Sequence, residues 1–235
     1  MKSKFTLLLF VLTFSIGISQ EDKEYYDSGQ LKELGNFVDG EKDGEWMKYY
    51  ENGKLKELGS YKKGTPIGFW KGYYKSGQIR SYGNMTKGGR NGIWKFYHQN
   101  GELSDYGNFI DGKETGNWKF YNENGKLVSE GSYDRGYENK IGEWKYYENE
   151  VLIEKGEFSE GVKNGEWIEY FENGQERYVI LFSKGKVMDI ISVFDGMGNL
   201  LDKGTLINGN GTVKNYDDEG NLISIHTYVD GKKQN

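Results

Sequence analysis

The sequence predicts an all-β fold: an elongated, twisted, single-layer antiparallel meander of about nine tandem β-hairpins. Three observations carry that prediction. Gly-x-Trp occurs six times, at Gly44/Trp46, Gly68/Trp70, Gly92/Trp94, Gly116/Trp118, Gly142/Trp144 and Gly165/Trp167, and takes up all six tryptophans. The tryptophans are spaced by 24, 24, 24, 26 and 23 residues. A tyrosine stands three residues after each one: Tyr49, Tyr73, Tyr97, Tyr121, Tyr147 and Tyr170.

Each element of the unit has a physical reason. Asn-Gly or Ser-Gly follows the tyrosine and ends at Gly53, Gly77, Gly101, Gly125 or Gly174. Asn-Gly between alternating segments is a strong hairpin signal, because both residues tolerate positive φ. An apolar residue comes two places later, at Leu55, Ile79, Leu103 and Leu127. A glycine and an aromatic close the unit, as in Gly59/Tyr61, Gly107/Phe109 and Gly131/Tyr133. Each unit therefore reads as one hairpin plus a glycine-bounded link. Trp144 departs from the rule, since its turn, Glu148-Asn149-Glu150, is one residue short and lacks the glycine.

The pattern runs beyond the tryptophans. Residues 25–40 read as the second part of a unit, with Gly29, Leu31, Gly35 and Phe37 in the expected places. After Trp167 it decays: Ile191 is expected in the tryptophan slot, followed by Gly198, Leu200, Gly204 and Leu206, then Gly211 and Val213. No linker or change of composition divides the chain, so residues 20–235 are read as one repeat domain, regular over 25–182 and degenerate over 183–235. A unit of about 24 residues cannot bury its own core and must borrow from its neighbours. At about 4.8 Å per strand, nine hairpins would run roughly 85 Å.

Residues 1–19 read as a secretory signal: Lys2 and Lys4, an apolar run from Phe5 to Ile18, and the small residues Gly17 and Ser19 before a cut ahead of Gln20. Loss of Lys2 and Lys4 takes the formal charge from -5 to -7. The expected destination is the periplasm, the cell surface or the exterior.

Composition excludes several chemistries. Acidic residues number 36 against 31 basic, with no clustered basic face for nucleic acid. Absence of cysteine removes disulfides, thiolate metal sites and thiol nucleophiles. The two histidines, His98 and His226, lie about five hairpins apart, so they share no site unless the array closes on itself. Neither metal-ligand spacing nor a phosphate-binding loop is present, and Gly209-x-Gly211 has no following helix. No enzyme, metal or cofactor is expected.

Gly-x-Trp-x-x-Tyr-Tyr-x-x-Gly-x-Leu, then Gly-x-Tyr-x-x-Gly, resembles the MORN-repeat family. More narrowly it is similar to the bacterial MORN variant of secreted and antitoxin-named proteins. The resemblance implies a non-enzymatic hairpin array that works through protein or membrane contacts.

Trp46 and Tyr49 differ by an odd number, so an undistorted strand puts them on opposite faces. Either a bulge reunites them or both faces carry an aromatic ladder. The ladder is read first as core and second as an exposed surface for sugar rings, peptide or another chain. The residue after each tyrosine varies: Tyr50, Tyr74, His98, Asn122, Glu148 and Phe171. A slot that accepts such a range is expected to be exposed, and a partner-specific surface is expected to use it. The leading functional expectation is a secreted protein-binding scaffold. A wall- or glycan-binding protein is the alternative, and membrane-surface binding ranks lower because the chain is acidic.

Overall fold

The computed structural model describes residues 19–234. Apart from Ser19, the predicted signal segment lies outside the described residues. The strands are β1 (Ser19–Tyr25), β2 (Leu31–Val38), the short β3 (Glu41–Lys42), β4 (Gly44–Tyr49), β5 (Leu55–Lys62), β6 (Thr65–Tyr73), β7 (Ile79–Thr86) and β8 (Gly89–Tyr97). They continue as β9 (Leu103–Ile110), β10 (Lys113–Tyr121), β11 (Leu127–Tyr133), β12 (Lys140–Glu148), β13 (Val151–Ser159), β14 (Val162–Tyr170), β15 (Glu176–Ser183) and β16 (Lys186–Val193). All sixteen belong to one open antiparallel sheet, ordered as in the sequence, with β3 attached to β2. This is the predicted meander.

Two kinds of turn alternate along it. At the Asn-Gly turns the Gly53 N–H donates to Tyr50 O and the Tyr50 N–H to Lys54 O, both at 2.8 Å, with Gly53 at φ +78. This is the three-residue hairpin that ends on a left-handed glycine. The links between units are hairpin turns as well. Asp111 and Gly112, at φ 50 and 78, form a two-residue turn between Ile110 and Lys113. Positive φ at both central positions matches the twist of the flanking strands. The short turn after Trp144 also takes this two-residue form, with Asn149 and Glu150 at φ 49 and 70.

The glycine of Gly-x-Trp makes a bulge. Thr115 pairs with Asn108 and Trp118 with Gly107, so Gly116 and Asn117 are extra on β10, and Gly116 takes φ +61. The bulge tips each tryptophan onto the strand before it. There the indole lies flat on the unit-closing glycine: Trp46 on Gly35, Trp70 on Gly59, Trp94 on Gly83, Trp118 on Gly107, Trp144 on Gly131 and Trp167 on Gly156. A Cβ built on Gly107 would stand 2.2 Å from the Trp118 ring, closer than any real contact.

The C-terminal end differs from the regular array. Ile180 replaces the unit-closing glycine, and its cross-strand partner Ile190 is the buried residue that stands in for tryptophan. Ile191, expected in that slot, faces outward. Beyond β16 the large sheet stops. β17 (Gly211–Tyr216), β18 (Leu222–Val229) and β19 (Lys232–Lys233) form a separate three-stranded sheet. Residues 200–206 join it to β16 by the antiparallel bridges Phe194–Leu200 and Gly204–Val213, so the stack continues irregularly, and Tyr178, Ile190 and Val193 pack with Leu206, Val213 and Tyr216. Mostly aliphatic side chains of successive strands bury what the shrunken ladder no longer covers.

Gly107→Ala should destabilise the fold by about 3 kcal/mol, through overpacking against a ring that has no room to move. Combined with Trp118→Val, the loss should fall short of the sum of the single losses by about 1 kcal/mol or more in urea unfolding. Additivity would mean that the two positions do not share one space.

Candidate functional site

Both faces of the sheet carry aromatic residues, and the two are built differently. On the first, Trp46, Trp94, Trp118, Trp144 and Trp167 are buried, with Trp118 and Trp167 at 0% exposure, and only Trp70 is half-buried. The aromatic that closes each unit stands edge-on to the tryptophans. The series Phe37–Trp46–Tyr61–Trp70 and Trp94–Phe109–Trp118–Tyr133–Trp144–Phe158–Trp167–Phe182 has centroid distances of 5.0–6.3 Å and angles of 72–88°. Edge-to-face contact is a preferred aromatic geometry. Most indole N–H groups find a carbonyl on the preceding strand, as Trp94 Nε1 donates to Asn84 O at 2.8 Å. Trp118 Nε1 has no acceptor among the described residues.

Cations lie over this face. Lys42 Nζ is 3.8 Å from the Trp46 ring centre, Lys140 Nζ 4.0 Å from Trp144 and Lys163 Nζ 3.9 Å from Trp167, and the Arg90 guanidinium is 4.7 Å from Trp94. A cation on an indole face is favourable, the more so when partly desolvated. Burial first, then Lys163, holds Lys140 below its ordinary pKa. Trp118 has Glu114 in the cation's position and is covered differently. The two extra residues before Trp144 bring Tyr137 to within 5.4 Å of the Trp118 ring and 5.1 Å of Tyr133. The irregular spacing of 26 residues thus serves the core.

The second face carries the tyrosines three residues after each tryptophan. Tyr49, Tyr73, Tyr97, Tyr121, Tyr147 and Tyr170 are all half-buried. Tyr97 stacks on Tyr82 at 5.8 Å and Tyr121 on Tyr106 at 6.4 Å. Tyr82 pairs across the strands with Lys95, the neighbour of Trp94, so the tyrosines occupy the face opposite the tryptophans. Of the two arrangements left open by the sequence, both faces have a ladder. Burial and the Tyr82 hydroxyl raise the Tyr97 phenol to about 12, and burial and Glu130 do the same for Tyr147. Both are neutral donors at ordinary pH.

The variable slot is not the exposed surface that its variety predicted. Tyr50, Tyr74, His98 and Asn122 are half-buried, Phe171 is buried, and Glu148 is exposed. The slot points along the stack. Tyr50 Oη donates to Tyr73 O at 2.7 Å, Tyr74 Oη to Tyr97 O at 2.5 Å, and His98 Nε2 lies 2.8 Å from Tyr121 O. The partner is 23 residues away, in the next unit, so a run of consecutive side chains gives no sign of it. His226 lies near Ser224 and Lys233 and does not meet His98. Among the described residues no group of three or more His, Asp or Glu is placed to hold a metal.

One row of the second face does stand out. The residue between glycine and tryptophan is Glu45, Phe69, Ile93, Asn117, Glu143 and Glu166. Phe69 and Ile93 are 52% and 56% exposed. Beside them runs a cross-strand row, Lys71–Tyr82–Lys95–Tyr106–Lys119. Lys119 is engaged with Glu130 at 2.9 Å, while Lys71 and Lys95 have no ion pair among the described residues.

A sequence profile of the family described as "MORN repeat variant" matches residues 23–39, 42–63, 90–111, 114–135, 163–183 and 210–230, over half of the chain. The chain belongs to that family. MORN repeats in general serve protein or membrane interaction. Two stretches between the matched MORN segments are irregular units: the one holding Trp70, and the one with the insertion before Trp144 and the short turn after it. No curated protein matches the sequence. Crystal structures of TcdB2-TccC3-Cdc42 and TcdB2-TccC3 align with 89% of this chain and 12% and 13% of theirs, at 11% and 10% identity and TM-score 0.23 for both. Alternansucrase in complex with isomaltononaose aligns with 89% of this chain and 18% of its own, at 13% identity and TM-score 0.16. This chain spans less than a fifth of each of those chains, and at such scores the likeness carries no argument.

Glu169 stands two residues after Trp167, in a slot that holds Phe96, Phe120 and Tyr146 in the three preceding units. Burial, then Glu154, holds its carboxyl above the usual range, against the pull of Lys163 and Arg177. A carboxyl with a raised folded pKa costs stability when ionised, and that cost vanishes below the unfolded value of about 4.3. Glu169→Gln should therefore unfold at a higher temperature than wild type at pH 7, with the gap closing as pH falls through the raised folded value and gone below about 4.3. A gap independent of pH would show that the carboxyl is not strained by burial.

Proposed function

We propose that this chain is an exported, non-enzymatic MORN scaffold that binds a partner protein across its tyrosine face, as an envelope adaptor or antitoxin-like protein. The carrying observation is the pair Phe69 and Ile93, exposed and apolar in a slot that is polar in the other four units. They sit in neighbouring units, roughly 10 Å apart at two strand spacings. Unpaired Lys71 and Lys95 flank them, with Tyr82 between. Aromatic anchors rimmed by charge are the composition of contact centres between proteins. Outside the unit of Trp70 the tryptophan face is filled by its own rings and serves as core.

A glycan-binding reading has one observation in its favour. Phe69, Tyr82 and Tyr97 form a continuous run of rings, at 5.5 and 5.8 Å, on the accessible face.

One experiment separates the two readings. Residues 20–235 are used as bait on envelope and culture fractions of the source cells, beside the double variant Phe69→Ser/Ile93→Ser. The expected result is one protein recovered near one-to-one by wild type and lost with the variant, while thermal stability changes by less than about 1 kcal/mol. Equal recovery by both baits would remove the tyrosine face as the contact. Retention on wall material without any protein would favour the glycan.

A further inference from the structure

Three rings on the tryptophan face are sandwiched between consecutive tryptophans. Phe96 stacks between Trp94 and Trp118 at 6.2 and 6.3 Å, Phe120 between Trp118 and Trp144 at 6.0 and 6.3 Å, and Tyr146 between Trp144 and Trp167 at 6.1 and 6.3 Å. The equivalent residue between Trp70 and Trp94 is Gly72. Two more departures fall on the same unit. Met85 takes the place of the edge-on aromatic, and Pro66 takes the position of the covering cation. Together they leave a cavity of about 220 Å³ lined by Tyr61, Trp70, Met85, Trp94, Arg80 and Arg90. Trp70 is accordingly the one tryptophan that is not buried.

The cavity has a sign. Arg80 reaches across Gly72, Arg90 is half-buried on Trp94, and Lys48 lines the same space. Glu57 is the one carboxylate in the lining, 3.4 Å from Lys48 and 3.9 Å from Arg80. Arg90 has no ion pair among the described residues, and burial lowers its pKa. Four cationic residues, Lys48, Lys71, Arg80 and Arg90, thus line the slot against one carboxylate.

We infer that this slot binds an aromatic carboxylate, its ring completing the stack between Trp70 and Trp94 and its carboxylate received by Arg80 and Arg90. The neighbouring units supply the template for the ring, and the unbalanced arginines select the anion, since a guanidinium takes a carboxylate in a two-point bond. Size agrees: a cavity of about 150 Å³ takes up benzene, and the remainder accommodates the acid group. The ligand chemistry is shared by a free aromatic acid and by a polypeptide that ends in phenylalanine. The slot lies on the face opposite Phe69 and Ile93, and it stands whether or not that surface binds a protein.

The test uses residues 20–235 and the indole N–H resonance of Trp70, assigned with Trp70→Phe. Phenylacetate, a short peptide ending in a free C-terminal phenylalanine, and the amide of each are titrated separately. Saturable shifts of the Trp70 resonance with either carboxylate, at least tenfold weaker with its amide, are expected. Response to phenylacetate assigns the slot to free acids, and response to the peptide alone assigns it to chain ends. Gly72→Phe must displace the flexible Arg80 guanidinium, 3.0 Å from where its Cβ would lie, and should still fold, since Phe120 is accommodated opposite Ser129 as Gly72 lies opposite Ser81, and should no longer respond. Arg90→Gln, which leaves the ring slot open, should weaken binding at least tenfold and covers the case in which Gly72→Phe does not fold. Absence of a saturable shift with both carboxylates, equal response to the amides, or full binding by Arg90→Gln would overturn the inference.

Discussion

An indole laid on a glycine of the preceding strand is the contact on which this fold depends. A single-layer sheet has no opposing layer to pack against, so its core must lie within the layer. A flat tryptophan spanning two strands achieves that, provided the strand beneath it has no side chain. Gly107 shows how strict the condition is, because even a methyl carbon there would penetrate the Trp118 ring. Gly116 supplies the bulge that turns the ring down onto it. The two glycines and the tryptophan are therefore one device distributed over two strands, and neither hairpin has it alone. This is the physical content of the statement that such a repeat cannot fold by itself.

The ends of the array obey the same rule by breaking it. In β1 the slot that pairs with the unit-closing glycine holds Asp22, opposite Gly35 as Trp46 is opposite Gly59. Among the described residues no strand precedes β1 for an indole to cover, and a charged edge strand resists pairing with other chains. Toward the other end Ile180 occupies the glycine position, and the ring opposite shrinks to Ile190. Volume moves from one strand to the next, and two aliphatic residues fill what one glycine and one tryptophan fill elsewhere. The same aliphatic packing carries on through Leu206 and Val213, where the stack continues by isolated bridges into the C-terminal sheet.

Much of this was legible in the sequence, for a reason that also sets its limit. Period, turns and the Gly-x-Trp framework are local, and they repeat, so copies reinforce one another. The face of the tyrosines was not legible, because the bulge and the strand alternation give opposite answers and only the pairing of Tyr82 with Lys95 decides. Tyr50, Tyr74 and His98 were misjudged as exposed because their bonds go to the backbone of the next unit. A carbonyl accepts from phenol and imidazole alike, so the exchange of tyrosine for histidine among Tyr50, Tyr74 and His98 reflects tolerance of donors and not freedom from contact. Ile191 was placed one residue too far, since the register of β15 and β16 carries two irregularities that counting from the tryptophans cannot foresee.

A repeat protein gains function where one copy departs from the others. Fixed positions are committed to the device that holds the stack together, so they are unavailable for anything else. The departures here are of two kinds. Some are compensated: Glu114 in place of a cation is answered by Tyr137, and Ile180 by Ile190. Others are left uncompensated, among them the bare Phe69 and Ile93 on one face and, on the other, Gly72, where no ring stands between Trp70 and Trp94. All three fall between Gly68 and Ile93, in the unit of Trp70 and the start of the next. Glu169, half-buried where Phe96, Phe120 and Tyr146 stand in the preceding units, is a further departure nearer the C-terminal end. The unit of Trp70 carries departures on both faces at once, and this is why both proposed contacts are placed there.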